Sequence, residues 1–386
     1  MRHSHDVEAL RRAEFPWAVR GDRVYLNHAS TGPLPVRTQR TLDTWTVRRG
    51  APWQISDEME FEVMARARDL AARLIGAAAE EIALTPNTSH GINIAARCLP
   101  LRAGDVVVSP DREFPANVYP WMALAREGIL YERIPWTSSG LPDESEILAA
   151  LDRPRVKVLT LSWVSFATGY TFDLARVGRA CRDRGIYFVV DAIQGVGARP
   201  LDVHECHIDI LACGGQKWVL SPWGTGFAYV RRELARQLEP REVGWLAVRG
   251  SSDFNRLLDY DLSWYDDARR FEVGTLAYQD LAAFSASVEL LLEIGIACVA
   301  THVGNLIDQM IARMHADGVE IVTPEEPALR AGILTVRPRH AERVNERLAR
   351  AGIVCSLREG AIRLSPHMYS TEEEIDRAMD ALVSEQ

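Results

Sequence analysis

Between Glu81 and Val230 the chain repeats one pattern: a short apolar run, a helical stretch, then another apolar run. The runs are Ile82 to Leu84, Val106 to Ser109, Leu130 to Ile134, Val156 to Leu161, Ile186 to Val190, Ile208 to Ala212 and Thr225 to Val230. Helical stretches fall between them, near Ser89 to Arg97, Asn117 to Glu127, Glu144 to Leu151 and Leu174 to Arg184. Strands that alternate with helices and are apolar throughout belong to a mainly parallel sheet covered on both faces. The pattern therefore predicts an α/β fold with a seven-stranded sheet. The link from Ala212 to Thr225 passes Pro222 and Gly224 and is too short for a crossover helix, so the last strand is expected to run antiparallel.

Outside this block the reading is coarser. Residues 1 to 24 read as a short helix and a connector, and Val24 to His28 as an extended entry into a loop, Ala29 to Pro35, rich in Ser, Thr, Gly and Pro. Met59, Val63, Ala67, Leu70 and Leu74 recur at helical spacing before Gly76, which predicts a helix from Asp57 to Ile75. Residues 240 to 275 are irregular and aromatic, as functional or interface loops are. A long apolar helix, Ala277 to Ile296, opens a compact α+β pattern: helix 299 to 316, strand Gly332 to Val336, helix 340 to 351, strands Gly352 to Ser356 and Ala361 to Ser365, and helix Glu372 to Val383. The expected division is a large domain over 25–276 and a small one built from 1–24 and 277–386.

The chain has 386 residues and a formal net charge of -9 with no basic run, which argues against nucleic acid and against an anionic membrane as partner. A small molecule is the expected ligand. Six cysteines lie scattered without a C-x-x-C pair, and the N-terminus has no apolar core of a signal peptide, so a cytoplasmic location is expected. His204-Glu205-Cys206-His207 has metal-type residues but no second ligand pair at metal spacing, and reads as a solvated loop. Gly195-Val196-Gly197-Ala198 lacks the third glycine of a dinucleotide fingerprint, and Pro200 interrupts any helix after it.

Positive charge is the informative part of the composition. Of the 44 basic residues only Lys157 and Lys217 are lysines. Arg does not form imines, whereas a Lys desolvated among apolar groups becomes a nucleophile. Lys217 follows an apolar strand and two glycines, at the edge of the sheet where open α/β folds bind ligands. At the same edge Asp191 ends a buried run, where a carboxylate is costly unless a cation or a proton pairs with it. Thr88 and Ser89 open a helix whose free N–H groups suit a phosphate, and Phe114 offers a ring for stacking on a planar ligand. An imine-forming Lys, an Asp for a pyridine nitrogen, an aromatic ring and a phosphate site are the parts that pyridoxal 5'-phosphate needs.

The blocks VVDAIQGVGARPLDV, DILACGGQKWVLSPWGTGFAYV, RFEVGT and IRLSPHMYSTEEEID, in that order, resemble the class V aminotransferase-type enzymes of pyridoxal phosphate fold type I, from about Tyr25 to the C-terminus. The resemblance implies that Lys217 forms the internal aldimine, Asp191 pairs with the pyridine nitrogen and Gln194 lies near the cofactor's 3-oxygen. It assigns Ser89, the His90 amide, Gln216 and a partner subunit's Thr275 to the phosphate, Phe114 to the ring face and Arg363 to the substrate carboxylate. A homodimer with shared sites follows from Thr275. His28, Asn117 and Arg358 are further candidates for the substrate pocket. Three positions depart from the cysteine desulfurase branch: Gln216 and Phe114 stand where it uses His, and Gly214 where a Ser is frequent. EFPANVYPW is similar instead to the kynureninase and isopenicillin N epimerase-like branches, and YLNHASTGPLP to the epimerase-like branch. The activity expected is a C–S lyase reaction, elimination from an S-substituted cysteine after Cα proton removal by Lys217, with an amino-acid epimerase, an aminotransferase or, less readily, a cysteine desulfurase as alternatives. Cys355 is expected to be an inert thiol, because only seven residues separate it from Arg363.

Overall fold

The computed structural model describes residues 5–383. Its centre is a seven-stranded sheet in the order Ile82–Leu84, Gly226–Val230, Ile210–Gly214, Tyr187–Asp191, Val156–Ser162, Val106–Pro110 and Leu130–Ile134. Only Gly226–Val230 runs antiparallel to its neighbours. All six other strands therefore point their carboxyl ends to one edge. The strand that carries the lysine loop lies two residues later than the apolar run suggests, at Ile210–Gly214 rather than 208–212, because Asp209 is spent on capping its neighbours: it accepts from Phe188 N and from Arg231.

Alternate residues of the strands face opposite ways, as the two-residue pleat requires. Phe188, Val190, Leu211 and Cys213 join a core with the helices Asp57–Ile75, Leu174–Asp183 and Tyr278–Ile294. Val189, Ile210 and Ala212 join a second core with the helix Thr88–Cys98 and with Trp121 and Leu124. Gly91 lets that helix sit close, since a Cβ there would lie 2.6 Å from the Ala212 methyl. The helix expected over 117–127 is broken into a 3-10 turn at Pro115–Asn117, a single α-turn at Tyr119–Ala123 and another 3-10 turn to Glu127, since Pro115 and Pro120 each remove a backbone donor.

A four-stranded antiparallel sheet follows, in the order Ser356–Arg358, Ala361–Leu364, Leu334–Arg337 and Glu320–Ile321. The run expected as one strand from Gly352 to Ser356 is divided. Ile353–Val354 pairs in parallel with Val24–Tyr25, and only from Ser356 does the chain join the hairpin. The turn of that hairpin is Glu359-Gly360, both at positive φ (48° and 73°), the geometry of a two-residue turn between twisted strands. A bridge from Asn27 to Ser365 extends the stitching, so the loop after Val24–Tyr25 is carried to the edge of the large sheet.

Candidate active site

Five of the six strand ends at this edge contribute a piece. Val106–Pro110 leads to Glu113 and Phe114, Val156–Ser162 ends on Ser162, Tyr187–Asp191 ends on Asp191, Ile210–Gly214 leads to Lys217, and Ile82–Leu84 leads to the helix start at Thr88. Register puts Ser162 and Asp191 side by side on adjacent strands.

Lys217 is held among apolar groups, and burial pushes its amine down to about 8; the Asp191 charge works against that shift and Arg363 adds to it. An amine so placed is partly free base near neutral pH, as a nucleophile or general base must be. Its Nζ lies 5.5 Å from the Phe114 ring centroid, and Phe114 packs edge to face on Phe166. Asp191 is 2% exposed, and burial raises its carboxyl to about 6 while the Ile193 N–H (3.0 Å to Oδ1) and Lys217 oppose the rise. Among the described residues no cation lies within ion-pair distance of Asp191, so its charge awaits a partner.

The loop 29–35 closes the floor beneath the lysine. Gly32 N–H donates to the Gln216 carbonyl at 2.8 Å, and a Cβ on Gly32 would fall 2.3 Å from the Lys217 carbonyl oxygen. Trp218 is fully buried; its indole donates to Gln194 Oε1 at 2.8 Å, while Gln194 Nε2 donates to the Ala29 carbonyl at 2.9 Å. The Gln194 amide keeps one N–H for another acceptor. His367 lies stacked on Trp218 and fixes the Trp218 carbonyl at 3.0 Å from Nε2, while its Nδ1 accepts from Met368 N–H, so the ring is neutral; burial lowers its pKa to about 4.

Arg363 is 3% exposed, yet no carboxylate stands within ion-pair distance of it among the described residues. Its guanidinium donates to Ser356 Oγ, the Phe166 carbonyl and Ser30 Oγ at 3.2, 2.9 and 2.8 Å, all neutral acceptors. Burial, with Arg358 adding, depresses it to about 10. A buried guanidinium served only by neutral groups is a prepared anion site.

Several expected roles meet a different arrangement. His28 is fully buried, with Nδ1 on the Ser365 carbonyl (2.7 Å) and Nε2 on the Tyr369 hydroxyl (2.8 Å), so both ring nitrogens are spent and none is left for a substrate. Asn117 is fully buried as well: its Oδ1 accepts from Thr160 Oγ1 (2.6 Å) and its Nδ2 donates to Glu113 (3.0 Å). The polar atoms of both side chains are thus engaged by protein partners. The His90 amide is taken by the Asn87 side chain at 2.9 Å, the helix N-cap. Ser89 is exposed, and Thr88 Oγ1 accepts from Gly214 N at 2.9 Å, so a hydroxyl from the helix start reaches the place left by the missing side chain at Gly214. Gln216 lies over Gly214, its Oε1 2.6 Å from where a Cβ would stand. Thr275 is exposed on the chain's surface and lines an open hollow with Thr85 and His90. Arg358 is exposed at the hairpin.

Glu113 escaped the sequence reading. Its carboxylate accepts from Ser162 N–H (2.9 Å), Ser162 Oγ and Asn117 Nδ2, which pins the loop that carries Phe114 to the strand beside Asp191. Burial, with the Asp191 charge adding, raises it to about 7 against those three hydrogen bonds. The one signal in the sequence was an acid directly before the ring-bearing Phe114.

A desolvated lysine, a buried carboxylate without a cation, an aromatic ring above the lysine and an open hydroxyl-bearing helix start fit pyridoxal phosphate, and together with the sheet they define a pyridoxal phosphate-dependent enzyme of fold type I. The chain belongs to the class-V aminotransferase family, whose description matches residues 24–378. A probable cysteine desulfurase of Methanothermobacter thermautotrophicus is 30% identical over 380 residues, 92% of each chain. The isopenicillin N epimerase of Streptomyces clavuligerus is 30% identical over 380 residues, covering 93% of this chain and 94% of its own. Among solved structures, the apo cysteine desulfurase of Thermococcus onnurineus NA1 superposes with a TM-score of 0.88 at 22% identity, over 100% of this chain and 99% of that one. A complex of the cystine C-S lyase C-DES with cysteine persulfide gives 0.86 at 23% identity, over 95% of this chain and 98% of that one.

Proposed function

We propose that the protein is a C–S lyase that cleaves an S-substituted cysteine by α,β-elimination. The cofactor, when bound, supplies an electron sink for the pair left at Cα. Lys217 would hold it, and its amine, when free, would take the Cα proton on Nζ. Asp191 keeps the pyridine nitrogen protonated, and Arg363 binds the α-carboxylate between Ser30, Ser356 and the Phe166 carbonyl. The Cβ–S bond then breaks, sulfur leaves as a thiolate with its electron pair, and water converts the released enamine to pyruvate and ammonium. No oxidant or reductant is consumed.

The observation that carries this reading over a desulfurase is the setting of Cys355. Its thiol is half-buried beside Asn345 Oδ1 (3.7 Å), and burial pushes it up to about 11. A sulfur-accepting nucleophile has to be a thiolate and has to travel. Cys355 instead sits between two strand segments, and the hairpin after it turns in two residues, which leaves no segment to swing. Epimerisation is less favoured because it needs a second proton carrier facing Lys217, and the ring over Nζ is Phe114, itself packed on Phe166. We also propose a homodimer in which Thr275 completes the neighbouring site.

The test is a panel of L-amino acids and cysteine S-conjugates incubated with the loaded enzyme, followed for pyruvate, thiol release, alanine, oxo acids and inverted stereochemistry. Pyruvate and free thiol in equal amounts support the lyase. Alanine with protein-bound sulfur would replace it by a desulfurase, and an oxo acid or a D-amino acid by an aminotransferase or an epimerase.

A further inference from the structure

The pocket holds more positive charge than an α-carboxylate uses. Ser356 is paired with Arg363 and Arg358 with Ala361 across the hairpin, so Arg358, two residues from Ser356 on the same strand, projects from the same face as Arg363. A diagonal pair of this kind lies about 7–8 Å apart, within reach of two long side chains. Like charges on one face repel, and here nothing relieves them: among the described residues no carboxylate lies within ion-pair distance of either guanidinium. Among the described residues, the only hydrogen bond from the Arg358 side chain goes to the Leu357 carbonyl, next to it in the chain. Its charge acts inward, depressing both Arg363 and Lys217. Glu359, the acid nearest in sequence, occupies the positive-φ turn and forms no ion pair with Arg358.

Three cations thus converge, and two have assigned duties. Lys217 serves the cofactor and the Cα proton, Arg363 the α-carboxylate. Arg358 is exposed at the hairpin, on the same face as Arg363, and has no such duty. Resting on the lyase reading above, we infer that the preferred substrates are cysteine conjugates whose S-substituent carries an anionic group, a carboxylate or a sulfonate, which Arg358 binds while Arg363 holds the α-carboxylate. Arg is suited to this because its fork meets either group with two parallel hydrogen bonds. Such a preference also places the enzyme downstream of reactions that put an acidic group on the cysteine sulfur.

The experiment compares S-(carboxymethyl)-L-cysteine with S-(carbamoylmethyl)-L-cysteine, which match in shape and differ in charge, using the loaded wild type, Arg358→Gln and Arg358→Lys. The kcat/KM ratio of acid to amide should be about tenfold or more in the wild type, as for one charge-assisted contact, near one in Arg358→Gln and intermediate in Arg358→Lys. S-(2-sulfoethyl)-L-cysteine separates the two anions: if it outcompetes the carboxymethyl conjugate, a sulfonate is the natural group. A wild-type ratio near one, or a ratio that Arg358→Gln leaves in place, overturns the inference. If neither conjugate is turned over, the lyase reading fails by itself, and the inference is then judged on equilibrium binding of the same pair: an acid preference lost in Arg358→Gln sustains it, and equal affinities end it.

Discussion

Asp191 and Cys355 show at the scale of single residues how burial sets chemistry. Burial raises the Asp191 carboxyl from its ordinary 3.8 to about 6, so the folded, cofactor-free protein is strained by this group once it ionises. An acid whose folded value is raised contributes no penalty below its unfolded value and an increasing one as the pH climbs, complete above the folded value. The window here runs from about pH 4 to about pH 6. Asp191→Asn should therefore stabilise the cofactor-free protein by about 3 kcal/mol at pH 8, with the gain shrinking towards pH 4. Thermal unfolding of both proteins across that range measures it, and a pH-independent difference would mean that Asp191 is not a desolvated acid. Cys355→Ala should leave most of the turnover intact and mass spectrometry should find no persulfide at that position. Loss of activity with the cofactor still bound would restore the thiol as a nucleophile.

At the scale of elements, the lysine loop is positioned by a backbone that approaches it with no side chain between. Gly32 lies with its N–H on the Gln216 carbonyl and its Cα against the Lys217 carbonyl, so Gly32→Ala must displace one of the two loops. We expect a loss of about 1–3 kcal/mol in stability and a lower cofactor content after purification. Gly50→Ala, where a Cβ meets nothing within 4 Å, serves as the control and should change stability by less than about 0.5 kcal/mol. Equal behaviour of the two variants would show that the loop contact does not matter. This element also marks how far the sequence could be read. The seven strands and the helix Asp57–Ile75 were legible because their apolar periodicity is strong and Gly76 stops the helix at positive φ. The helix Val36–Gly50 was not, since its buried residues are Thr38 and Trp45, too few to write a stripe among threonines and arginines. Lys217, Asp191 and Phe114 could be read from where they follow strands. His28 and Asn117 could not, because a polar residue in a loop looks the same whether it meets a ligand or a buried partner, and their partners Ser365 and Thr160 lie 337 and 43 residues away. Arg363 was named by the resemblance, while its lack of a carboxylate partner became visible only in three dimensions.

At the scale of the whole molecule, the N-terminal segment, the sheet edge and the C-terminal unit meet over one lysine, and the proposed dimer adds Thr275 from a neighbour. Mixing Lys217→Ala subunits with Thr275→Ala subunits should restore activity in the hybrid dimers, which keep one site with both residues intact. Sizing should find the active species at twice the chain mass. A monomer with full activity would refute the shared site. Lys217 as the residue that binds the cofactor is the centre of the proposed chemistry. Borohydride reduction of the loaded protein, followed by peptide mapping, asks this directly. A pyridoxyl group is expected on Lys217 alone, with the visible absorbance lost in Lys217→Ala. A label on Lys157, which lies exposed on Val156–Ser162, or no label on a protein that absorbs as the loaded form, would contradict it.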